Sequence, residues 1–300
     1  MDQLLISSSI IFVIIGQLLN AFIVLIDKYI VTNTSISNPK VYAFYVAIIS
    51  GVVLILVPFG VVHVPSGYTA VLSLLIGFTF IASIVSLYSA LKHANATDVV
   101  AWLAAVSTLT TFVFSFFVMH EQLPASFAIS LLLFLIGMAL VGHFRFYARS
   151  FLLVVCSGIL FGLSAVFIKV LFTQTTFIDG FFWSRMGNVI GALSLLLFPS
   201  VRRSIFTVSK QVSHATSSLI VVNRILGGLA FLCVLYAIRL GSVSIVNALS
   251  SLQFVFIFLL IFLFRHKLPV FYHHEFRPGH VFHKVLAMLF IMAGFFTLFI

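Results

Sequence analysis

Residues 90–103 read ALKHANATDVVAWL, and residues 237–250 read AIRLGSVSIVNALS. Both stretches contain an alanine, an aliphatic residue and a basic residue, then a short run of small or polar residues, and then the same spacing of valine and alanine. The two copies lie 147 positions apart in a chain of 300 residues. A pattern repeated at half the chain length indicates that the two halves share one fold.

The composition indicates the environment of that fold. Hydrophobic residues make up 62% of the chain and charged residues only 7%, with a mean hydropathy of +1.27, whereas soluble domains contain about 25% charged residues. Most of the apolar runs are close to the ~20 residues that a helix needs to cross the hydrocarbon core. They lie near 5–26, 41–63, 69–91, 99–119, 125–143, 151–172, 178–198, 218–238, 243–264 and 285–300. We therefore predict an all-α integral membrane protein with ten transmembrane helices.

The duplication extends beyond the two quoted stretches. Lys28 and Lys169 are each followed thirty residues later by a proline. The two predicted halves, residues 1–145 and 146–300, contain five spans each. Because five is an odd number, the second half enters the membrane from the opposite side. The result is an inverted-topology repeat, an arrangement that many secondary transporters use to place one site between two halves.

The segment 87–124, LYSALKHANATDVVAWLAAVSTLTTFVFSFFVMHEQLP, resembles the EamA-like family of the drug/metabolite transporter superfamily. In that family a basic residue ends one helix, a short turn of small residues follows, and a glutamate closes the next helix. Lys92, residues 94–97 and Glu121 match this pattern. The second half is similar in LYAIRLGSVSIVNALSSLQFVFIF, and FFWSRMGNVIGALSLLLFPS is similar to a group of bacterial members. The likeness covers essentially the whole chain.

The resemblance implies ten helices around a central cavity and the efflux or exchange of a small metabolite across a bacterial cytoplasmic membrane. It implies no bound cofactor. The expected partners are a small-molecule solute and membrane lipid, with no nucleic acid, for a monomer or homodimer. The chain departs from the family pattern in two places. Thr108 and Gln253 lie where many members have a proline, and His266-Lys267 lies where the glutamate of the first half would recur.

Polar side chains form stripes along three of the predicted spans. At 100° per residue, the first span carries Gln17, Asn20, Asp27 and Lys28 on one face. The stripes of the fourth and ninth spans contain Ser107, Thr110, Thr111 and Ser115, and Ser244, Asn247 and Ser251. Polar groups at such positions face either a wet cavity or a neighbouring helix. The sequence leaves both possibilities open.

Arg185 is the strongest candidate for a substrate contact. It lies about seven residues inside the seventh span, where an unpaired charge costs a few kcal/mol or more. Its guanidinium suits bidentate binding of a carboxylate or a phosphate. Trp183 is the aromatic neighbour that the sequence indicates.

Other charged and polar residues extend the candidate site. Lys169 lies deep in the sixth span, and Arg224 and Asn223 lie near the start of the eighth. The side chain of Lys169 could instead extend to the interface, as could those of Asp27 and Lys28. The full set of predicted substrate-binding residues is Arg185, Trp183, Lys169, Asn20, Asp27, Lys28, Asn223 and Asn247.

The candidate residues are mostly cationic, which favours an anionic or zwitterionic solute over a cationic drug. The sequence contains no HExxH, no GxSxG and no phosphate-binding glycine loop, so we do not expect an enzyme. We predict a secondary transporter that works by alternating access. The alternative is a flippase for a lipid-linked phosphate or another lipid-handling membrane protein.

One segment contains several possible zinc ligands: His266, His273, His274, Glu275, His280 and His283. No pair has the HExxH spacing of a zinc-binding helix. We therefore predict an interfacial loop between the last two spans, without a metal.

The distribution of positive charge bears on orientation. Of the 16 Lys and Arg residues, all but Lys169, Arg185 and Arg239 lie at odd-numbered connections or their helix ends. The positive-inside rule then places the odd connections in the cytoplasm and both termini outside. The family resemblance implies the opposite orientation.

Overall fold

The computed structural model describes residues 2–34, 38–121, 123–141, 148–209, 214–265 and 278–298. These residues form helices and their connections, with no β-strand among them. The α-helices are α1 Asp2–Asn33, α2 Pro39–Ile48, α3 Gly67–His93, α4 Ala96–Met119, α5 Ala125–Val141, α6 Ala148–Gln174, α7 Phe177–Ser194, α8 Pro199–Ser209, α9 His214–Leu240, α10 Val243–Ala248, α11 Leu252–Leu263 and α12 Pro278–Thr297. The 3-10 segment Ile49–Phe59 continues α2, and 3-10 turns at Leu195–Leu197 and Leu249–Ser251 follow α7 and α10.

Seven apolar helical segments of the described chain are long enough to cross a membrane. They are Ser9–Asn33, Pro39–Phe59, Gly67–His93, Ala96–Met119, Arg149–Gln174, Thr216–Leu240 and Val243–Leu263. An eighth candidate joins Phe177–Leu197 to Pro199–Thr207 across a bend of 103°. Two further apolar helices, Ala125–Val141 and Val281–Thr297, are shorter. The prediction of an all-helical chain with the spans of a multi-pass membrane protein is confirmed at this level.

A hydroxyl side chain caps the N-terminus of each of two long helices. The hydroxyl of Ser66 accepts a hydrogen bond from the backbone N–H of Thr69 at the start of α3, at 3.1 Å. Thr176 accepts from the N–H of Asp179 in the same way at the start of α7, at 3.1 Å. Each hydroxyl satisfies one of the backbone donors that the first turn of a helix leaves without a partner. These caps fix where two of the helices that surround the cavity begin.

Glycines allow α3 and α6 to approach their neighbours closely. A Cβ added at Gly77 in α3 would lie 1.9 Å from the carbonyl oxygen of Gly187 in α7, and one added at Gly191 would lie 2.7 Å from the carbonyl oxygen of Gly77. In α6, Cβ atoms added at Gly158 and Gly162 would collide with α4. Small residues at four-residue spacing permit this kind of backbone contact in membranes. The pairs Gly158/Gly162 and Gly187/Gly191 both have this spacing.

The helix α8 lies at a sharp angle to α7 and is amphipathic. Val201 and Ile205 are buried against the protein, whereas Arg202, Arg203 and Phe206 are exposed. This pattern is typical of a helix that lies in the interface plane of a membrane. The bend of 103° lies between the apolar segment Phe177–Leu197 and this amphipathic helix.

Two predictions from the sequence fall on parts of the chain outside the described residues. The boundary between the halves, at 145 and 146, is one of them. Residues 266–277, which contain most of the histidine segment, are the other. The described part of the chain contains no group of three histidine, cysteine or acidic residues placed to hold a metal ion.

Candidate functional site

A cavity of about 330 Å³ lies between helices of the first and second halves of the chain. Its walls come from α1, α2 with its 3-10 continuation, α3, α4, α6, α7, α9 and the candidate span Val243–Leu263, which contains α10 and α11. Most of the lining side chains are apolar. The lining amides and charges are Gln17, Asn20, Asp27, Arg185, Arg224, Asn247 and Gln253. Apolar walls with a few convergent polar groups are typical of a small-molecule site.

Arg185 projects from α7 into this cavity. Its Cζ lies 3.2 Å from the ring centroid of Phe231 and 5.8 Å from that of Phe181. The Nε and Nη2 atoms are buried and have no hydrogen-bond partner among the described residues. The aromatic faces offset part of the cost of burying the cation, but they leave its directional N–H donors available. Arg185 is therefore equipped to bind an acceptor that enters the cavity.

Trp183 is not the aromatic neighbour that the sequence indicated. Its indole Nε1 donates a hydrogen bond to the backbone carbonyl of His63 at 3.1 Å, outside the cavity. Residues two positions apart on a helix do not face one another, so Trp183 and Arg185 point in different directions. Phe231 and Phe181 take the place that was assigned to Trp183.

Asp27 and Arg224 form a buried ion pair at one end of the cavity. The Nη2 atom of Arg224 lies 2.5 Å from Oδ1 of Asp27, and the two side chains are 11% and 5% exposed. Tyr42 donates to the same oxygen at 2.5 Å, and the amide of Asn223 donates to it at 2.6 Å. A buried carboxylate is tolerated only when it is paired and hydrogen-bonded. Three donors from α2 and α9 satisfy this requirement for Asp27.

The ion pair changes the role of two predicted site residues. Asp27 lines the cavity, as predicted, but its charge is compensated by Arg224. Asn223 does not line the cavity and instead orients the carboxylate of Asp27. Asp27 is thus bound by Arg224 and does not pair with Arg185. Asp179, the acidic residue closest in sequence to Arg185, pairs with His63 at 3.0 Å.

The two predicted lysines hold helix ends and do not line the cavity. Lys28 donates to the carbonyls of Leu91 and Ala94, at 2.5 and 2.9 Å, where α3 ends. Lys169 donates to the carbonyls of Ile238 and Gly241, both at 2.6 Å, where α9 ends. The last carbonyls of a helix lack intrahelical donors and carry partial negative charge, so they attract a cation. The sequence placed Lys28 and Lys169 in the substrate site, whereas in the structure both side chains bind helix ends and neither lines the cavity.

Asn20 and Asn247 both line the cavity. The carbonyl of Asn20 accepts a hydrogen bond from Gln253 Nε2 at 3.1 Å. The side chain of Asn247 donates to the hydroxyl of Thr111, and Thr108 donates to the backbone carbonyl of Asn247 at 3.0 Å. These bonds join α1 to α11 and α4 to α10. Both asparagines consequently combine a structural contact with exposure to the cavity.

Three hydroxyls of the predicted stripes, those of Thr111, Ser115 and Ser244, bond to another helix. Thr111 donates to the carbonyl of Gly162 at 3.3 Å, and Ser115 lies 2.7 Å from the hydroxyl of Ser244. Glu121 accepts from the hydroxyl of Ser244 and from the backbone N–H of Val243, at 2.6 and 3.1 Å. That carboxylate therefore caps the first turn of α10, where the helix dipole favours negative charge.

The cavity reaches the protein surface between the 3-10 segment Ile49–Phe59 and α9. Val52 lines it and is 69% exposed, and Gly228 lines it from α9 and is exposed as well. Both residues lie near the middle of their candidate spans, Pro39–Phe59 and Thr216–Leu240. Elsewhere along the same helices, Arg224 of α9 donates a hydrogen bond to the hydroxyl of Tyr42 of α2 at 3.1 Å. We call the gap the lateral opening.

The lateral opening contrasts with the contact between α3 and α7. Those two helices pack along their glycines, with Ser73 and Gly77 against Gly187 and Gly191. Within the described residues, α9 and the 3-10 segment share no comparable contact. The cavity is thus closed along one pair of helices and open along the other.

Several features of the site were not predicted from the sequence. Tyr42 lies in an apolar run and has no sequence feature that indicates a partner. Phe231 is one of 36 phenylalanines, so its contact with Arg185 could not be singled out. The adjacent glycines Gly227 and Gly228 could have indicated this part of the cavity wall from the sequence, because glycines inside a helix are unfavourable and usually have a structural or functional reason.

Comparisons with known proteins find a similar fold in a solved structure but no match in sequence. No protein-family model matches the chain, and no curated protein matches it in sequence. A crystal structure of another protein aligns with a TM-score of 0.66 and 19% sequence identity, over 96% of this chain and 95% of that one. The agreement extends over nearly the whole of both chains, so the entire fold is shared with a protein of known structure.

Proposed function

We propose that this protein is a secondary transporter of the EamA-like family that carries a small organic anion or zwitterion across a bacterial cytoplasmic membrane. The proposal rests on the surroundings of Arg185. Its guanidinium projects into a central cavity, and two of its buried nitrogens lack a partner among the described residues. A buried charge without a partner is unfavourable. An anionic group on the solute would compensate it.

Ten spans follow if α5 and α12 also cross the membrane. The apolar parts of these helices, Ala125–Val141 and Val281–Thr297, are at the lower limit of the length that a membrane span requires. The two helices pack against each other, with Gly137 of α5 in contact with Ile291 of α12. Seven long candidate spans, the bent one and this pair would then make up the two sets of five that the sequence predicts.

The lysine contacts support an inverted repeat. The carbonyls bound by Lys28, those of Leu91 and Ala94, lie 147 positions before the carbonyls of Ile238 and Gly241, which Lys169 binds. This offset equals that of the quoted sequence pattern. In addition, α3 packs on α6 and α1 packs on α9, so the third helix of each half lies beside the first helix of the other. Two inverted copies around one cavity would produce this arrangement.

The difference between the two helix pairs supports alternating access. In an inverted repeat, the contact of α3 with α7 corresponds to that of α9 with α2 and its 3-10 continuation. The first contact is closed along Gly77 and Gly187, and the second is open beside Gly228. Exchanging the conformations of the two halves would close the open contact and open the closed one. That exchange would present one cavity to the two sides in turn.

Charge counting favours a solute with one anionic group. Among the described lining residues, Asp27 and Arg224 neutralise each other and Arg185 remains. One net positive charge in a low-dielectric cavity attracts one negative charge. A monoanion or a zwitterion that presents its anionic end to Arg185 meets this condition.

Counterflow in proteoliposomes tests the proposal. Vesicles loaded with an unlabelled organic acid are diluted into a trace of the same labelled acid, across a panel of monocarboxylates, monophosphates and amino acids. We expect accumulation of label for at least one acid, and none in vesicles without protein. A complete panel of anions and zwitterions without counterflow, in vesicles that contain folded protein, would contradict the proposed function.

A further inference from the structure

We propose that the transported anion is an amphiphile whose anionic group binds Arg185 and whose apolar chain leaves the cavity through the lateral opening into the bilayer. This inference rests on the proposed function, because it takes Arg185 as the anion site. The inference names the class of solute, which is an anionic head on a single hydrocarbon chain. It also gives the path of that hydrocarbon chain, between α9 and the 3-10 segment.

The depth of the lateral opening is the first argument. Val52 and Gly228 both line the cavity, both are exposed, and both lie near the middle of a candidate span. At that depth the exposed surface of the protein faces hydrocarbon. A solute in the cavity is therefore next to acyl chains. A hydrophilic solute would lose hydration on that side without gaining a partner, whereas a hydrocarbon chain would not.

The glycines of α9 provide a second argument. A Cβ added at Gly227 or Gly228 would meet no atom of the described residues within 4 Å. These two glycines therefore differ from Gly77 and Gly187, which are needed for close backbone contact. A glycine inside a helix costs about 1 kcal/mol relative to alanine, and no packing contact offsets this cost at Gly227 and Gly228. Their effect is to keep the wall of the lateral opening free of side chains.

The walls of the cavity provide a third argument. Beside the lateral opening, Ile49, Val52 and Val53 present aliphatic surface. The guanidinium of Arg185 lies against Phe231, with two buried nitrogens that lack a partner. The site thus offers one charged end and an apolar surface that continues to the bilayer. An amphiphilic anion would bind the charged end with its head and the apolar surface with its hydrocarbon chain.

A chain-length series tests the inference on the full-length protein in phosphatidylcholine nanodiscs. The probes are butyl, octyl and dodecyl phosphate, and the readout is binding to the parent protein minus binding to Arg185→Gln, which removes simple partition into the bilayer. We expect the affinity to rise by up to about fourfold per methylene from butyl to octyl, as burial of one CH₂ provides. Dodecyl phosphate should bind at least as tightly as octyl phosphate, because its chain can leave the cavity.

Two results of the series would overturn the inference. A closed cavity would accept octyl phosphate and reject dodecyl phosphate, since the longer chain would have no exit. A site for hydrophilic solutes would show no gain from butyl to octyl phosphate.

Substitution of a glycine tests the path of the chain. Gly228→Leu should fill the lateral opening and lower the affinity for dodecyl phosphate at least tenfold more than that for butyl phosphate. Gly67→Leu is the matched control, because Gly67 also has no atom within 4 Å of an added Cβ but lies outside the cavity. Gly228→Ala controls for helix propensity. Equal losses for both phosphates in Gly228→Leu would show that the chain does not use this opening.

The outcomes separate failure of the inference from failure of the proposed function. If Arg185→Gln binds all three phosphates as the parent does, the anion site itself is wrong. If Arg185→Gln loses them but Gly228→Leu does not discriminate by chain length, only the amphiphile is wrong. Lysophosphatidic acid, a membrane lipid with a single acyl chain, is added to the nanodiscs to identify the source of the ligand. If the added lipid competes with dodecyl phosphate, the site binds a lipid headgroup. If it does not compete, the site binds a free amphiphile. Both results support the proposed class.

Discussion

At the scale of single residues, the charge of Arg185 should matter for transport more than for folding. Arg185→Gln removes a charge that has no partner among the described residues, and removal of an unpaired buried charge relieves a cost. We expect the variant to express normally and to keep its thermal melting temperature in detergent, while counterflow of the substrate falls by at least a hundredfold. Arg185→Lys should recover only part of the activity, because it lacks the planar, bidentate donor.

Normal counterflow by Arg185→Gln would contradict the role of Arg185 in binding. A misfolded Arg185→Gln would assign it a structural role instead. Trp183→Phe provides a matched control on the same helix. Its indole bonds to the carbonyl of His63 outside the cavity, so we expect a small loss of stability and unchanged discrimination between substrates.

The buried pair of Asp27 and Arg224 should behave in the opposite way. Asp27→Asn leaves the guanidinium of Arg224 without a counterion, and Arg224→Gln leaves the carboxylate of Asp27 in the same position. Removal of one partner from a buried pair costs about 3–5 kcal/mol. We expect each single variant to lower the melting temperature strongly and to reduce the yield of folded protein.

The double variant Asp27→Asn/Arg224→Gln separates pairing from other effects. It leaves no uncompensated charge, so its melting temperature should recover most of the loss. A double variant as unstable as the sum of the single variants would indicate that the two residues act independently. Tyr42 and Asn223 retain their hydrogen bonds to an asparagine in this variant.

At the scale of helices, glycines with different surroundings should respond differently to the same substitution. Gly77→Ala places a Cβ 1.9 Å from the carbonyl oxygen of Gly187, so α3 and α7 must separate. We expect a large loss of melting temperature and of folded yield. Gly228→Ala meets no atom within 4 Å and gains helix propensity, about 1 kcal/mol. It should keep or raise the melting temperature.

Thermal unfolding of the two alanine variants, measured side by side in one detergent, checks this prediction. Equal melting temperatures would mean that α3 and α7 do not pack as described. A strong loss for Gly228→Ala would mean that α9 lies close to another element at this position. Each variant adds a single methyl group, at a closed helix contact in Gly77→Ala and at an open one in Gly228→Ala.

At the scale of the whole molecule, the exposed cations are unevenly distributed between the odd-numbered and even-numbered connections of the predicted spans. Lys40, Arg149, Arg202, Arg203 and Arg265 are all exposed at odd-numbered connections. On the other side, Lys169 and Arg239 bind the ends of helices, and Arg185 lies in the cavity. The positive-inside rule counts charges near the interface, so the structure strengthens the imbalance that the sequence already contained.

We therefore expect the odd connections in the cytoplasm and both termini outside. A reporter that is active only in the cytoplasm, fused after Ile300, should remain silent, and the same reporter inserted after Arg203 should be active. The second fusion is the matched control, because it shows that the reporter folds on this protein. Activity after Ile300 together with silence after Arg203 would reverse the orientation, in agreement with the family resemblance.

The sequence by itself determined the helical, membrane-spanning character of the chain. With 7% charged residues and runs of about 20 apolar residues, the cost of exposing backbone polar groups to lipid leaves few alternatives to helices. The sequence also indicated Arg185, Asn20 and Asn247 as cavity residues, because polar groups inside apolar spans are rare and costly. Local signals of this kind depend on a single helix and its environment.

Only the tertiary structure decided how these residues pair. Lys28 and Asp27 are adjacent in sequence, yet Lys28 binds the end of α3 and Asp27 binds Arg224, 197 positions away. Trp183 and Arg185 share a short motif and face different parts of the protein. An electrostatic partner is chosen by distance in space, and that distance follows from how the helices pack. Helix packing depends on glycine contacts such as Gly77 with Gly187, which become visible only when both helices are in place.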